Sequence, residues 1–420
     1  MMAVLVLAAR SAWNRRLTLG MTLVAIALSV TLLIGIERVR NDARDTFSRS
    51  VSGTDLVVGA RASGVQLMLY AVFRIGDATN NMRWSSYRML ADHALVAWAI
   101  PVSLGDSHRG FPVLGTTVSY FEHFRFGESQ PLVLASGKPF AGIFDTVLGA
   151  EVAERLGYRV GDAIVLNHGA GDVSLMSHAD KPFTVTGVLA RTGTAVDRTV
   201  HVGLEAIEAI HLDWQGGVPI PGVSIPPEFV RKFDLTPKEV TAVLVGLKNR
   251  ADVFSLQRQV NRHATEPLAA VLPGVALDDL WQIVGVAERT LLAISAMVVA
   301  VGLTGLVAVI LSGLGERRRE LAILRAVGAR PVDILALLTL EGVFITLLGI
   351  VIGLLLLAGV AAVIGPFAEV HYGIFLRPQL VSGEELQLLA LVLIVGMAAS
   401  LVPGYRAYRY SLADGLTPRI

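Results

Sequence analysis

The chain has 420 residues, 53% hydrophobic and 17% charged, with a mean hydropathy of +0.59. That is too apolar for an ordinary soluble protein and too charged for one wholly embedded in lipid, which leaves a membrane protein with a substantial aqueous domain. A net charge of +1 carries no argument for nucleic acid, and the lack of cysteine excludes disulfides, thiolate metal sites, cysteine nucleophiles and iron–sulfur ligation.

Residues 1–16 form a basic segment with Arg10, Arg15 and Arg16 and no acid. Residues 17–36 follow without a charge, long enough for a bilayer span of about 20 residues. The run exceeds the usual secretory h-region, and Glu37, Arg38 and Arg40 stand where a cleavage site would be, so an uncleaved first span is expected. Residues 37–288 read as an aqueous domain, with 38–50 continuing the helix out of the bilayer. Val96–Val102, Phe111–Gly115, Ala163–Leu166, Phe183–Leu189 and Val240–Leu247 are strand-like. Val65–Phe73, Ser85–Leu90, Ala150–Leu156, Leu204–Ile210 and Val253–His263 are helix-like. The mixture predicts a large α+β domain of one or two lobes. Gly216–Pro227, rich in proline and glycine, reads as a loop.

A second span is expected over 291–314, a basic segment over 315–333, a third span over 334–364, a short loop over 365–385 and a fourth span over 386–402. Ser382-x-x-Glu385 is a capping box opening the fourth span, and Pro403–Gly404 is expected to end it before a tail over 403–420. The N-terminus, the 315–333 segment and the tail each hold three or more arginines, while the 365–385 loop holds only Arg377. Both termini and the basic segment therefore belong in the cytoplasm and the large domain outside, which in a Gram-negative inner membrane means the periplasm. The expected class is an α-helical membrane protein with four transmembrane helices and a large α+β periplasmic domain inserted between the first and second spans.

The basic segment holds Arg317, Arg318, Arg319, Arg325 and Arg330, with Leu321, Leu324 and Val327 spaced by three. A short helix with a narrow apolar stripe cannot span. It is either a charged turn that sets topology or a cytoplasmic knob gripped by a partner. In the third span, Glu341 lies near the cytoplasmic end, placed to bond the neighbouring basic helix or to serve an ion pathway, and Gly349-x-x-x-Gly353 offers a small-residue packing face. No P-loop, H-E-x-x-H or G-x-S-x-G motif occurs; Ser136-Gly137-Lys138 lacks the upstream glycine. All nine histidines fall outside the bilayer by this topology. His168, His178, His201 and His211 cluster in sequence near Asp172, Asp180 and Asp197, residue types that bind zinc or copper, although none has metal-ligand spacing and spans avoid histidine in any case.

The order of one span, a large outer domain and three spans, together with E-R-R-R-E-L-A-I-L-R-A-V-G-A (Glu316–Ala329), Glu341 with Gly349 and Gly353, and the arginine-rich tail, resembles the MacB/LolC/FtsX superfamily of ABC-transporter permeases. Asp55–Asn81 and Thr192–His211 resemble a subgroup described as exporters of lipoproteins, peptides or antimicrobials. The resemblance implies a permease homodimer or pseudo-dimer with two copies of a separate cytoplasmic ATPase that uses ATP and Mg, no cofactor in this chain, and mechanotransmission from the ATPase to the periplasmic domains, where an adaptor or lipoprotein would act. It also implies ATPase coupling through Glu316, Arg317, Arg318, Glu320, Leu321, Leu324, Arg325, Val327 and Gly328, with Leu321, Leu324 and Val327 entering the ATPase groove. An alternative of the same architecture is a non-transporting mechanical regulator of a periplasmic enzyme; one from another class is a metal-linked periplasmic binding or sensor protein, against which three further spans around a basic connector argue, since a sensor needs only one or two.

Overall fold

The computed structural model describes residues 16–50, 52–169, 176–215, 218–372 and 381–409. The basic N-terminal segment before Arg16, Asp172, residues 373–380 and the tail beyond Arg409 lie outside the described residues. The expected 365–385 loop is shorter than read from sequence, because the third long helix runs past Ile364 to Tyr372 and the fourth begins at Gly383. Two compact units result, the first formed by the chain up to Ala43 and from Val284 onward, the second by Arg44–Ile283.

The first unit is helical. Among the described residues four helices are long and apolar enough to cross a membrane. They are Arg16–Arg49, Pro273–Glu316, Pro331–Tyr372 and Gly383–Tyr408. The first continues past Ile36 as expected, and the second begins at Pro273, well ahead of Leu291. The fourth does not stop at Pro403: it runs through Pro403–Gly404 to Tyr408. Proline removes one helical donor but leaves the rest of the ladder intact, and here Pro403 and Gly404 are buried, with the Gly404 backbone close against Leu335. The capping box forms, with Ser382 accepting from Glu385 N and Glu385 accepting from Ser382 N. The Glu385 carboxylate also accepts a bidentate bond from Arg38, at 2.7 and 3.2 Å, tying the first long helix to the start of the fourth.

Small residues set how closely these helices approach. A Cβ added to Gly349 would lie 2.6 Å from Ile26, and one added to Gly353 would lie 2.7 Å from the Ala27 carbonyl and 2.9 Å from Val30. Thr31 donates to the Gly353 carbonyl at 2.9 Å through the same contact. Gly396 meets Thr346, and Gly342 meets Ser400, between the third and fourth helices. Gly353→Leu is therefore expected to force the first and third helices apart. Overpacking costs about 1–3 kcal/mol or more, read as a lower thermal midpoint of the full-length protein in detergent. Gly359→Leu, with nothing within 4 Å of its Cβ, is the matched neutral control.

The second unit contains two sheets. In the first the order is Leu268–Val271, Leu56–Ala60, Ala242–Leu247, Val96–Val102, all antiparallel. Alternate residues face opposite sides: Val57, Ile100 and Leu244 enter one core and Val58, Val243 and Val245 another. With both faces covered, the central strands read as unbroken apolar runs. The second sheet has nine strands and mixed direction. Its parallel pairs are Phe183–Leu189 with Asp145–Leu148, and Val200–Gly203 with Phe111–Thr116. Its core holds Phe111, Leu148, Phe183 and Val202. The expected helices Ala150–Leu156 and Leu204–Ile210 form with those bounds, as do the strands Val96–Val102 and Phe183–Leu189. The 216–227 loop is partly ordered: Val218–Pro219 pairs with Trp214–Gln215.

Candidate functional sites

Each unit carries one candidate site. In the helical unit it is the connector between the second and third long helices. The chain leaves the second helix at Glu316, bends at Arg317 and forms the helix Arg318–Ala326. Gly328 then adopts φ +109, a conformation that side chains resist, and closes the helix end by donating to the Arg325 carbonyl at 3.1 Å. Pro331 opens the next helix three residues on. Arg317 is nearly buried and donates to Glu341 at 2.7 Å, with Glu320 at 3.9 Å. The pair clamps the base of the connector to the third helix. The side chains of Glu316 and Arg318 lie outside the described residues.

The connector presents only part of the stripe read from sequence. Leu321 is only 7% exposed and belongs to the core of the helical unit, and Leu324 packs partly against the same core. The reason is geometric: a short connector needs an apolar face of its own to stay docked on the bundle. The apolar side chains left outward are Ile323, 62% exposed, and Val327, 84% exposed. They stand four apart and so share one face.

In the second unit the site gathers four segments. Strand Asp106–His108 pairs with Asn167–His168, placing His168 directly opposite Asp106. Strand Met176–Ser177 pairs on the other side of Asn167–His168, and His178 follows it at once. His211 caps the helix Leu204–Ile210. One ligand atom from each of Asp106, His168, His178 and His211 lies within 4.8 Å of all the others. His168 Nδ1 is 3.1 Å from Asp106 Oδ1 and 3.1 Å from His211 Nε2, and His211 Nε2 is 3.8 Å from Asp106 Oδ1. His211 Nδ1 donates to the Ile207 carbonyl at 2.7 Å, which fixes its tautomer and leaves a lone pair on Nε2 facing the cluster. Trp214 packs against all three rings, at centroid distances of 4.3 Å from His178, 5.4 Å from His168 and 5.6 Å from His211.

The electrostatics follow from the packing. The hydrogen bond that His168 donates to Asp106 raises the His168 pKa against the opposing effect of burial. Burial, then the neighbouring His211, pushes His178 down to about 4, so it is neutral at pH 7. His178 is 0% exposed, and among the described residues neither of its ring nitrogens has a hydrogen-bond partner. A buried polar atom left unpaired costs about 1–3 kcal/mol. The turn is held by Lys181, 0% exposed, which donates to Asp213 at 2.8 and 2.9 Å and to Asp180 at 2.7 Å.

Three of the four sequence-clustered histidines therefore meet, and the fourth does not. His201 lies inside the core, donating to the Val147 carbonyl at 3.2 Å and packed against Tyr120 and Phe121. Of the carboxylates expected beside the histidines, the two among the described residues serve elsewhere. Asp180 pairs with Lys181, and Asp197 accepts from Thr192 and Gly193 in a turn. The acid that does join, Asp106, is distant in sequence and comes in through strand pairing. Its one local signal is a polar stretch bracketed by Gly105 and Gly110 between two strand-like runs, the mark of a hairpin.

Burial pushes His201 down to about 3, with Arg74 adding to the effect. A histidine whose folded pKa is depressed is protonated more readily when unfolded, so stability is lost as pH falls below the ordinary histidine value near 6.5. Its contribution to destabilisation is about 2 kcal/mol by pH 5. His201→Phe is expected to remove this share, so that the gap in thermal midpoint between wild type and variant narrows or inverts from pH 7.5 to pH 5. An unchanged gap would show that His201 stays protonated or hydrated in the native state.

Four helices long and apolar enough to cross a membrane, with a basic connector between two of them, and a separate two-sheet unit define the class as a membrane protein with a folded aqueous domain. Residues 19–263 match the MacB-like periplasmic core domain and residues 292–412 the FtsX-like permease C-terminal domain. The chain belongs to the MacB/LolC/FtsX family of ABC-transporter permeases, whose members work with a cytoplasmic ATPase. It is 23% identical to the lipoprotein-releasing system transmembrane protein LolC of Neisseria meningitidis, over 94% of this chain and 92% of that protein. It is 33% identical to the macrolide export ATP-binding/permease protein MacB of Nitrobacter winogradskyi, over 30% of this chain and only 18% of that longer protein. The periplasmic region of MacB from Actinobacillus actinomycetemcomitans overlaps 55% of this chain and 92% of its own at 10% identity, with a TM-score of 0.34, too loose to carry weight.

Proposed function

We propose that this chain is the membrane subunit through which a separate cytoplasmic ATPase drives movement on the opposite face of the inner membrane. The observation that carries the reading is the connector: a helix docked on the bundle through Leu321, clamped by Arg317 to Glu341, with Ile323 and Val327 left exposed for a partner. A rigid, clamped knob transmits a push; a loose charged turn does not. Both termini and the connector are cytoplasmic in this reading, and the two-sheet domain stands in the periplasm between the first and second spans. The working unit is a permease dimer with two ATPase copies binding ATP and Mg.

The output proposed is mechanotransmission: extraction or export of a lipoprotein, peptide or hydrophobic compound, with a periplasmic adaptor or lipoprotein receiving it. The full-length likeness to a lipoprotein-releasing protein favours a lipid-modified cargo within that range. Affinity purification of the tagged full-length protein from its native membrane tests this. The expected result is a P-loop ATPase in equal amount, accompanied by a periplasmic partner. A complex without any ATPase would overturn the reading.

A further inference from the structure

We propose that Asp106, His168, His178 and His211 form a binding site for a divalent first-row transition ion, with zinc the ion best matched. The argument begins with the donor set. Three imidazoles and one carboxylate suit zinc and its neighbours, whereas magnesium and calcium take oxygen ligands. Zinc binds nitrogen and oxygen at about 2.0–2.2 Å, so tetrahedral ligand atoms stand about 3.3 Å apart. The separations of 3.1, 3.1 and 3.8 Å among Asp106, His168 and His211 already bracket that value, and every pair in the set is within 4.8 Å.

Two further features point to an ion rather than to a hydrogen-bonded cluster. The bond from His211 Nδ1 to the Ile207 carbonyl leaves Nε2 as the lone-pair donor, as orienting partners do for metal-bound histidines. Asp106 and His211 Nε2 both act as acceptors toward the single His168 Nδ1, and buried His178 brings ring nitrogens with no partner among the described residues. An ion at the centre satisfies all four groups at once. The cluster opens on a cavity of about 330 Å³, lined also by Glu208 and Lys238, so an ion reaches it from solvent. A reachable site in the two-sheet unit fits an ion that is captured or sensed there.

The test uses the purified full-length protein in detergent, stripped with chelator and titrated with Zn²⁺ alone by calorimetry, with metal analysis of the dialysed complex. One ion per chain is expected, with a Zn²⁺-dependent rise in thermal midpoint. Co²⁺ should bind in competition, quench Trp214 and show the visible absorption of a tetrahedral centre. His211→Gln and Asp106→Asn, each close in size to the native side chain, should weaken Zn²⁺ binding on the order of a hundredfold or more while leaving the metal-free midpoint near wild type. His263→Gln, outside the cluster, should bind as wild type does. No stoichiometric binding by the wild type, or binding unchanged in both ligand variants, would overturn the proposal. His178→Ala serves as an independent third variant should either of the others fail to fold.

Discussion

Ile323→Asp combined with Val327→Asp is expected to abolish recovery of the ATPase with the tagged permease while leaving the permease in the membrane. Both side chains are exposed on one face of the connector, so neither substitution disturbs the bundle. Burying each in a partner groove is worth about 1.5–3 kcal/mol, and a carboxylate in its place adds a desolvation cost. With each 1.4 kcal/mol equal to about tenfold in affinity, the double variant should bind at least a hundredfold more weakly. Leu321→Asp is the informative contrast. It places a charge in the helical core and should lower the yield of folded permease, not the ATPase content of what survives. Wild-type ATPase recovery with the double variant would remove the connector from the interface.

Lys181→Met is expected to be strongly destabilising to the two-sheet unit. Lys181 is fully buried, and its ammonium holds Asp213 by two bonds. Removing one member of a buried pair strands the other charge and costs about 3–5 kcal/mol. The pair also joins two turns of the histidine cluster. Lys181 N donates to the His178 carbonyl at 3.1 Å, and Asp213 precedes Trp214. The double change Lys181→Met with Asp213→Asn should recover most of the loss. It removes both charges yet keeps an acceptor for Ile225 N, which donates to Asp213 at 3.2 Å. Thermal unfolding of the full-length variants measures both. A single variant as stable as wild type would mean that Asp213 finds water or another cation when Lys181 is gone.

The two sites differ in how far they could be read in advance. Glu341 was visible as a charge in an apolar run beside a basic connector, which left a bond to that connector and an ion pathway both open; that Arg317 is its partner came from the structure. Ser382 and Glu385 were visible as a cap for the same local reason, but the bond from Glu385 to Arg38 was not, since nothing in either segment names the other. The outward face of the connector was legible only in part: spacing by three identifies the stripe of Leu321, Leu324 and Val327 but not that the bundle covers Leu321 and leaves Val327 exposed. His168, His178 and His211 stood out as a residue type concentrated in one stretch. Asp106, Trp214 and the exclusion of His201 depended on strand order and on which face of a strand met the core.

Sequence alone determined the four long apolar runs, the basic connector between two of them, most short helices and five of the strands of the two-sheet unit, and the family resemblance. These rest on hydropathy, short-range periodicity and capping, which act over a few residues. Tertiary structure alone decided that Gly349 and Gly353 seat the first helix, that Leu321 turns inward while Ile323 and Val327 turn out, and that an aspartate from one hairpin meets histidines from three other segments. Those outcomes depend on register and packing between distant parts of the chain, where a one-residue shift in a strand or a rotation of one helix exchanges buried side chains for exposed ones.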